Sequence, residues 1–366
     1  MKIVRPTLLL DEQRCRANIR RMTTKANRHG LDFRPHFKTH QSHAVGRWFR
    51  DEGVTKCTVS SVQMAAYFAE DGWNDITVAF PLNYLEVAEI NRLAAKIKLN
   101  ILVVSAAALH SLLGGLVHKV YCFVEMDCGY HRTGVAVSDS KSMDEILQVI
   151  ESTPLLEFAG LLTHAGHSYG CRSGIEILTV HQQTTQLMKK AGSRLRAKYP
   201  DLILSVGDTP TCSIANDFEG IQEIRPGNFV FYDIMQRGIG SCPEDQIAVA
   251  MACPVVATYP DRGEVIVHGG GVHLAKDFLK QEDGSMVFGR VVRMTEEGWE
   301  LPSTSMTVKS LSQEHGIIRA TAAECGSFKP GDVLGILPVH SCMTADVMGQ
   351  YVTLTGETIL MMSKVG

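Results

Sequence analysis

The chain has 366 residues, 45% of them apolar and 20% charged, which excludes a disordered or fibrous protein. That length leaves room for a barrel of roughly 200 to 250 residues together with a second domain. The formal net charge is -3 and no basic run interleaves with aromatics, so a small molecule is the expected partner, with no nucleic acid and no membrane.

The N-terminal stretch up to Asp11 holds too few apolar residues for a signal-peptide core, and runs such as Ile101 to Val104 are strand-sized, well below a bilayer span. None of the ten cysteines stands in C-x-x-C spacing. A chain with its own core needs no staples, so reduced thiols and a cytoplasmic location are expected.

In chain order, Thr7 to Leu10 reads as an opening strand that could pair with the first barrel element or join a β-rich domain. From about residue 31 to 230, β-branched runs alternate with longer amphipathic stretches, the pattern of βα units. Eight runs qualify as strands: Leu31 to Lys38, Val54 to Ser60, Asp75 to Phe80, Asn100 to Val104, Lys119 to Met126, Leu156 to Thr163, Leu202 to Val206 and Ile221 to Arg225. Helical patterns lie between them, such as Tyr84 to Lys96 with apolar Leu85, Ala88, Ile90 and Leu93, and the long stretch Gly174 to Lys198. The reading is an α/β fold, a (β/α)8 TIM-like barrel over residues 11–234. Its chemistry belongs at the C-terminal ends of the strands. After about residue 235 short alternating strands broken by Gly and Pro take over, giving a C-terminal β-rich domain over 235–366, with residues 1–10 assigned to it.

The strand ends carry the candidate motifs. Arg34-Pro35-His36-Phe37-Lys38-Thr39-His40 ends the first run, and period-two alternation puts Arg34, His36, Lys38 and His40 on one face. Such crowding of cations lowers a lysine pKa and makes its amine nucleophilic, as a Schiff-base lysine requires; a solvated basic strand end is the alternative. Glu125 to Gly134 ends the fifth run in a charged, Gly-bearing turn with Arg132 able to face a ligand; a solvated turn is the alternative. Thr163-His164-Ala165-Gly166-His167-Ser168-Tyr169 offers two imidazoles and a phenol. Gly207-Asp208-Thr209 and Arg225-Pro226-Gly227-Asn228 follow the seventh and eighth strands, where barrels often bind phosphate. His340-Ser341-Cys342 places an imidazole and a thiol two apart on an extended segment, a pairing that suits zinc but cannot close a site alone. The glycine-rich His268 to His273 reads as a tight turn.

Together, in this order and over nearly the whole chain, these segments resemble the D-serine dehydratase and D-threonine aldolase family of fold-type III pyridoxal-phosphate enzymes, related to alanine racemase. The resemblance begins at Arg5-Pro6-Thr7-Leu8-Leu9-Leu10-Asp11 and extends to Pro338 to Asp346. It implies that Lys38 holds pyridoxal 5'-phosphate and later handles the Cα proton, with Arg132 near the pyridine nitrogen and His164 against the ring. Tyr169, Thr209, Gly227 and Asn228 resemble positions around the phosphate or the other substituents. His340 and Cys342 look like ligands of Zn2+, and the His-x-Cys form resembles the dehydratases, whereas the better-known aldolases carry aspartate in place of the cysteine.

The expected activity is therefore a D-serine dehydratase-like β-elimination on a D-3-hydroxy amino acid, giving a 2-oxo acid and ammonia. Retro-aldol cleavage to glycine and an aldehyde is the alternative. A racemase ranks lower because no second base is identifiable, and a non-catalytic pyridoxal-phosphate carrier has no use for a metal. The resemblance also implies a homodimer.

Overall fold

The computed structural model describes residues 2–363. The chain divides into two compact units: Arg20–Lys38 with Gly46–Gly227, and Met1–Ile19 with Thr39–Val45 and Asn228–Gly366.

With strands numbered along the chain, β1 (Thr7–Leu10) belongs to the second unit. The first unit is built on β2 (Asp32–Phe33), β3 (Cys57–Val59), β4 (Asp75–Pro81), β5 (Lys98–Val103), β6 (Val120–Asp127), β8 (Leu156–Leu162), β9 (Ile203–Val206) and β10 (Glu223–Ile224), with the short β7 (Val135–Ala136) beside β6. All eight pair in parallel, in the order β2-β10-β9-β8-β6-β5-β4-β3, and a parallel bridge from His36 to Thr58 brings the two ends of the sheet together. Each of the eight expected runs overlaps one of these strands, and β4, β5 and β6 extend one or two residues past the expected bounds. Strands covered on both faces read as continuous apolar runs, and β5 and β6 are buried along almost their whole length for that reason.

Inside the barrel Leu102, Phe123 and Leu162 pack together. A charged layer is also enclosed. Arg34, 1% exposed, donates from Nε to Glu223 Oε2 at 2.7 Å and from Nη1 to Asp75 Oδ1 at 2.6 Å. Ser205 Oγ donates to Glu223 Oε1 at 2.6 Å, and Arg225 Nε donates to that hydroxyl at 2.7 Å. Buried charges persist only when paired in this way.

The crossover helices begin on capping residues. Ser61, Ser105, Asp139 and Ser173 each accept from the backbone N–H three positions on. At Gly160 in β8, φ is +153° and a Cβ would lie 2.1 Å from the Ile203 carbonyl oxygen, so this contact with β9 admits glycine alone.

Two local expectations change. The first strand is confined to Asp32–Phe33: Pro35 has no N–H to give, and the chain rolls into a 3-10 turn at Phe37–Thr39. The cationic face of Arg34, His36, Lys38 and His40 therefore does not form, since Arg34 turns into the barrel, His40 is fully buried and Lys38 is exposed. In the Tyr84 to Lys96 stretch only Val87–Ala94 is α-helical. Ile90 and Leu93 are buried there, and Leu85 is 79% exposed.

The second unit is antiparallel. Its strands are β11 (Val249–Tyr259), β12 (Glu264–His268), β13 (Leu279–Lys280), β14 (Met286–Val287), β15 (Gly289–Thr295), β16 (Gly298–Trp299), β17 (Thr307–Leu311), β18 (His315–Arg319), β19 (Val333–Pro338), β20 (Gln350–Thr353) and β21 (Thr358–Leu360). The long β11 pairs with both β19 and β12, closing the circuit β12-β18-β17-β15-β19-β11. β1 lies between β11 and β20, so the opening strand joins the β unit. All ten cysteines are free thiols, and no helix among the described residues is long and apolar enough to cross a membrane.

Candidate active site

The C-terminal end of the barrel gathers Lys38, Arg132, His164, Tyr169, Thr209 and Gly227. Lys38 stands in the 3-10 turn after β2. His164 follows β8, and its Nδ1 lies 2.6 Å from the Gly207 carbonyl oxygen. A carbonyl only accepts, so Nδ1 carries the proton and Nε2 keeps its lone pair. Burial pushes the imidazole pKa down to about 3, against the Gly207 hydrogen bond, and the positive charges of Lys38, Arg132 and Arg225 add to the fall. His164 is therefore a neutral ring in a cationic setting.

Arg132 is exposed on the loop after β6, its guanidinium 5.1 Å from the centre of the Tyr130 ring. Asp127 Oδ1 shapes this loop by accepting from Gly129 N–H at 2.9 Å and His131 N–H at 3.0 Å. The Tyr130 ring lies against Gly166 so closely that a Cβ there would be 2.4 Å from Tyr130 Cε1.

Behind His164, the loops after β8, β9 and β10 are tied together. Thr209 N–H donates to the Tyr169 hydroxyl at 3.3 Å. Asp208 caps the helix Thr209–Ile214 through Thr211 N–H at 2.8 Å and also accepts from Ser168 Oγ at 2.8 Å. A Cβ on Gly207 would lie 2.8 Å from Arg225 Cβ, so the approach of these two loops requires glycine. Arg225 leads directly to Pro226 and Gly227; it is buried and donates to the Thr163 carbonyl, and burial lowers its pKa to about 10.

These residues fit a phosphorylated planar cofactor. The positive charges of Lys38, Arg132 and Arg225 act on a neutral imidazole, and two buried polar atoms of this barrel end, His167 Nδ1 and Glu125 Oε2, have no hydrogen-bond partner. Burial raises the pKa of Glu125.

A second centre lies in the β unit. His340 is the residue before the helix Ser341–Met348, and Cys342 is in its first turn. The segment is thus a strand-to-helix junction, not the expected extended run, yet the imidazole and the thiol come close enough for each to influence the other's ionisation. Burial works against charge on His340, but Asp277, whose Oδ1 is 3.6 Å from His340 Nδ1, and Cys342 raise its pKa to about 11. Burial likewise opposes the Cys342 thiolate, and His340 and Thr39 outweigh it, so that pKa is lowered. The Thr39 hydroxyl lies 3.3 Å from Cys342 Sγ. Asn228 belongs here rather than with Gly227: its Nδ2 donates to Asp233 Oδ2 at 2.7 Å and Ser341 Oγ at 3.1 Å and lies 3.5 Å from Cys342 Sγ. An imidazole nitrogen beside a cysteine sulfur is a donor set suited to a borderline-soft divalent ion.

His268, His273 and Glu314 form another group of potential ligands, their donor atoms within 4.8 Å of one another. Gly270 N–H donates to His273 Nδ1 at 3.3 Å, which leaves the proton of the neutral ring on Nε2, facing Glu314 Oε2 at 3.7 Å. That is the pattern of a hydrogen-bonded cluster, since a metal would need the Nε2 lone pair.

Sequence reasoning missed Thr39, Asp233 and Asp277 as members of the second centre. Thr39 at least lies inside the lysine motif; nothing in the sequence near Asp277 marks it.

Residues 10–234 match the family model described as "Alanine racemase, N-terminal domain", and residues 248–354 the one described as "Putative serine dehydratase domain". The chain belongs to the alanine racemase-like D-serine dehydratase family. Within the family it is 30% identical over 366 residues to the D-threo-3-hydroxyaspartate dehydratase of Delftia sp., covering 96% of this chain and 94% of that protein. It is 27% identical over 376 residues to the D-serine dehydratase of Dictyostelium discoideum, covering 96% and 93%. The D-threonine aldolase of Arthrobacter sp is 25% identical over 353 residues, covering 92% and 85%. The solved Delftia dehydratase superposes with a TM-score of 0.89 at 27% identity over 98% of each chain. Variants of that enzyme with a histidine, or a cysteine two residues later, changed to alanine have also been solved, the cysteine variant in the metal-free form. An alanine racemase from Clostridium difficile shares the fold alone, with a TM-score of 0.70 at 13% identity.

Proposed function

We propose that this protein is a dehydratase of D-3-hydroxy amino acids, with pyridoxal phosphate on Lys38 and a zinc ion on His340 and Cys342. The protein is a pyridoxal-phosphate-dependent lyase. The observation that carries the dehydratase reading is the thiol of Cys342, in place of a carboxylate, beside His340. The metal-free state of the Delftia cysteine variant supports the same assignment.

When bound, pyridoxal phosphate supplies an electron sink for charge left at Cα, and zinc supplies a Lewis acid for the departing β-hydroxyl. The protein's own groups do the rest. The Lys38 amine holds the cofactor and, once released, accepts the Cα proton. Arg132 is assigned to the pyridine nitrogen, where its fixed charge would disfavour ring protonation. His164 would pack against the ring without adding charge to it, and its Nδ1–H bond to Gly207 holds the imidazole in place. Tyr169, Thr209 and Gly227 are assigned to the phosphate and the remaining substituents, and the Asn228 side chain to the metal centre.

For D-serine, water is lost across Cα–Cβ, and the enamine product rearranges and hydrolyses. The water is thus regained, and pyruvate and ammonia are released. A cytoplasmic homodimer is part of the proposal.

The test is chemical trapping. Borohydride reduction of the cofactor-loaded protein is expected to leave a pyridoxyl group on the Lys38 peptide, and D-serine to give equal amounts of pyruvate and ammonia. A label on another lysine would contradict the assignment.

A further inference from the structure

Asp233 is 1% exposed, and none of the chemistry assigned above uses it. It stands just before the short helix Ile234–Gly238, and its two carboxylate oxygens have separate partners. Oδ1 accepts from Gln236 N–H at 2.9 Å, an ordinary helix cap. Oδ2 reaches 108 residues along the chain, to Ser341 N–H at 3.0 Å and the Ser341 hydroxyl at 3.3 Å. The same oxygen accepts from Asn228 Nδ2 at 2.7 Å.

A helix cap needs no buried negative charge. Serine or asparagine caps as well as aspartate does, and a buried carboxylate is unfavourable unless its oxygens are hydrogen-bonded. What aspartate adds is a second oxygen with three donors on it. Those donors are not scattered: two belong to Ser341, the residue between His340 and Cys342. The third is the amide that also touches Cys342 Sγ.

We infer that Asp233 is a positioning residue for a metal ion held by His340 and Cys342. Its Oδ2 fixes the Ser341 peptide at the strand-to-helix junction, so the imidazole before it and the thiol after it converge on one ion. Partners of this kind, which hold ligands in place without touching the metal, typically contribute 10- to 100-fold in affinity. The inference rests on the metal assignment made above, and its test separates the two.

The experiment adds Co2+ to the full-length protein stripped of metal, reading affinity and the thiolate-to-cobalt charge-transfer absorption. Asp233→Ser keeps an oxygen for Gln236 N–H but is too short to reach Ser341. It is expected to lower Co2+ affinity about 10- to 100-fold and to weaken the charge-transfer band. The melting temperature of the metal-free protein should stay close to that of the parent, because the cap survives. Asp233→Asn, which preserves size but turns an amide toward the Ser341 donors or abandons the cap, should show the same loss and decides the matter if the serine variant does not fold. Unchanged affinity and spectrum in the folded Asp233 variants, with the band lost in Cys342→Ala, would overturn the positioning role and leave the metal assignment standing. If Cys342→Ala binds Co2+ like the parent, the metal assignment fails and the positioning role with it.

Discussion

The Thr39 hydroxyl lies 3.3 Å from Cys342 Sγ, so the residue that follows Lys38 in sequence touches one of the two assigned metal ligands. The segment carrying Thr39 is anchored nearby, where the Tyr351 hydroxyl donates to the His40 carbonyl at 2.9 Å and Gln41 Nε2 donates to Asp346 Oδ1 at 3.0 Å. Thr39→Val keeps the volume and removes the hydroxyl. Zinc affinity should fall about 3- to 10-fold, the worth of one hydrogen bond to the sulfur, while Thr39→Ser retains it. Equal affinity in both variants, measured by competition with a chromophoric chelator, would show that the contact does not support the sulfur.

The two centres should separate under mutation. Lys38→Ala is expected to abolish the long-wavelength absorption of the bound cofactor and all turnover, with metal content unchanged. Cys342→Ala should retain the cofactor absorption and lose zinc and elimination activity together. Zinc content and activity that both survive the cysteine change would remove the metal assignment.

The charged layer inside the barrel sets a stability prediction. Glu223→Gln removes the carboxylate that Arg34 and Ser205 share, leaving the buried guanidinium with Asp75 alone. Breaking a buried pair on one side costs about 3 to 5 kcal/mol, so urea unfolding should shift by that order. A change below 1 kcal/mol would mean that Asp75 suffices to hold Arg34.

Acid should destabilise the protein through two histidines. Burial lowers the pKa of both His40 and His164 to about 3, whereas an unfolded histidine titrates near 6.5. Both are neutral in the fold, so the unfolded state binds the extra protons. Their contribution is complete above about pH 6.5 and is lost as pH falls toward 3, at up to about 1.4 kcal/mol per pH unit for each group. His40→Gln should flatten the decline between pH 6 and 4. An unaltered slope in that variant would mean that His40 takes up its proton without unfolding.

The barrel was legible in the sequence because parallel strands buried on both faces, such as Asn100 to Val103, leave continuous apolar runs that no surface strand shows. The strand-end motifs then located Lys38, Arg132, His164 and the loops behind them. Two junctions were not legible. At Phe37–Thr39 the alternation is broken by a 3-10 turn that Pro35 only hints at. At Ser341–Met348, the helix has little apolar periodicity to announce it, and Ser341, Thr344 and Ala345 are buried. Asp233 and Asp277 escaped for another reason: their roles arise only when distant segments meet, and neither sits in a motif of its own.

The most direct test of the dehydratase reading is product analysis with D-threonine, on the protein supplied with pyridoxal phosphate and zinc, with and without a chelator. 2-Oxobutyrate and ammonia are expected in equal amounts, both disappearing with the chelator and returning with zinc. Glycine and acetaldehyde instead would contradict it, making the protein an aldolase whose Cys342 serves retro-aldol cleavage.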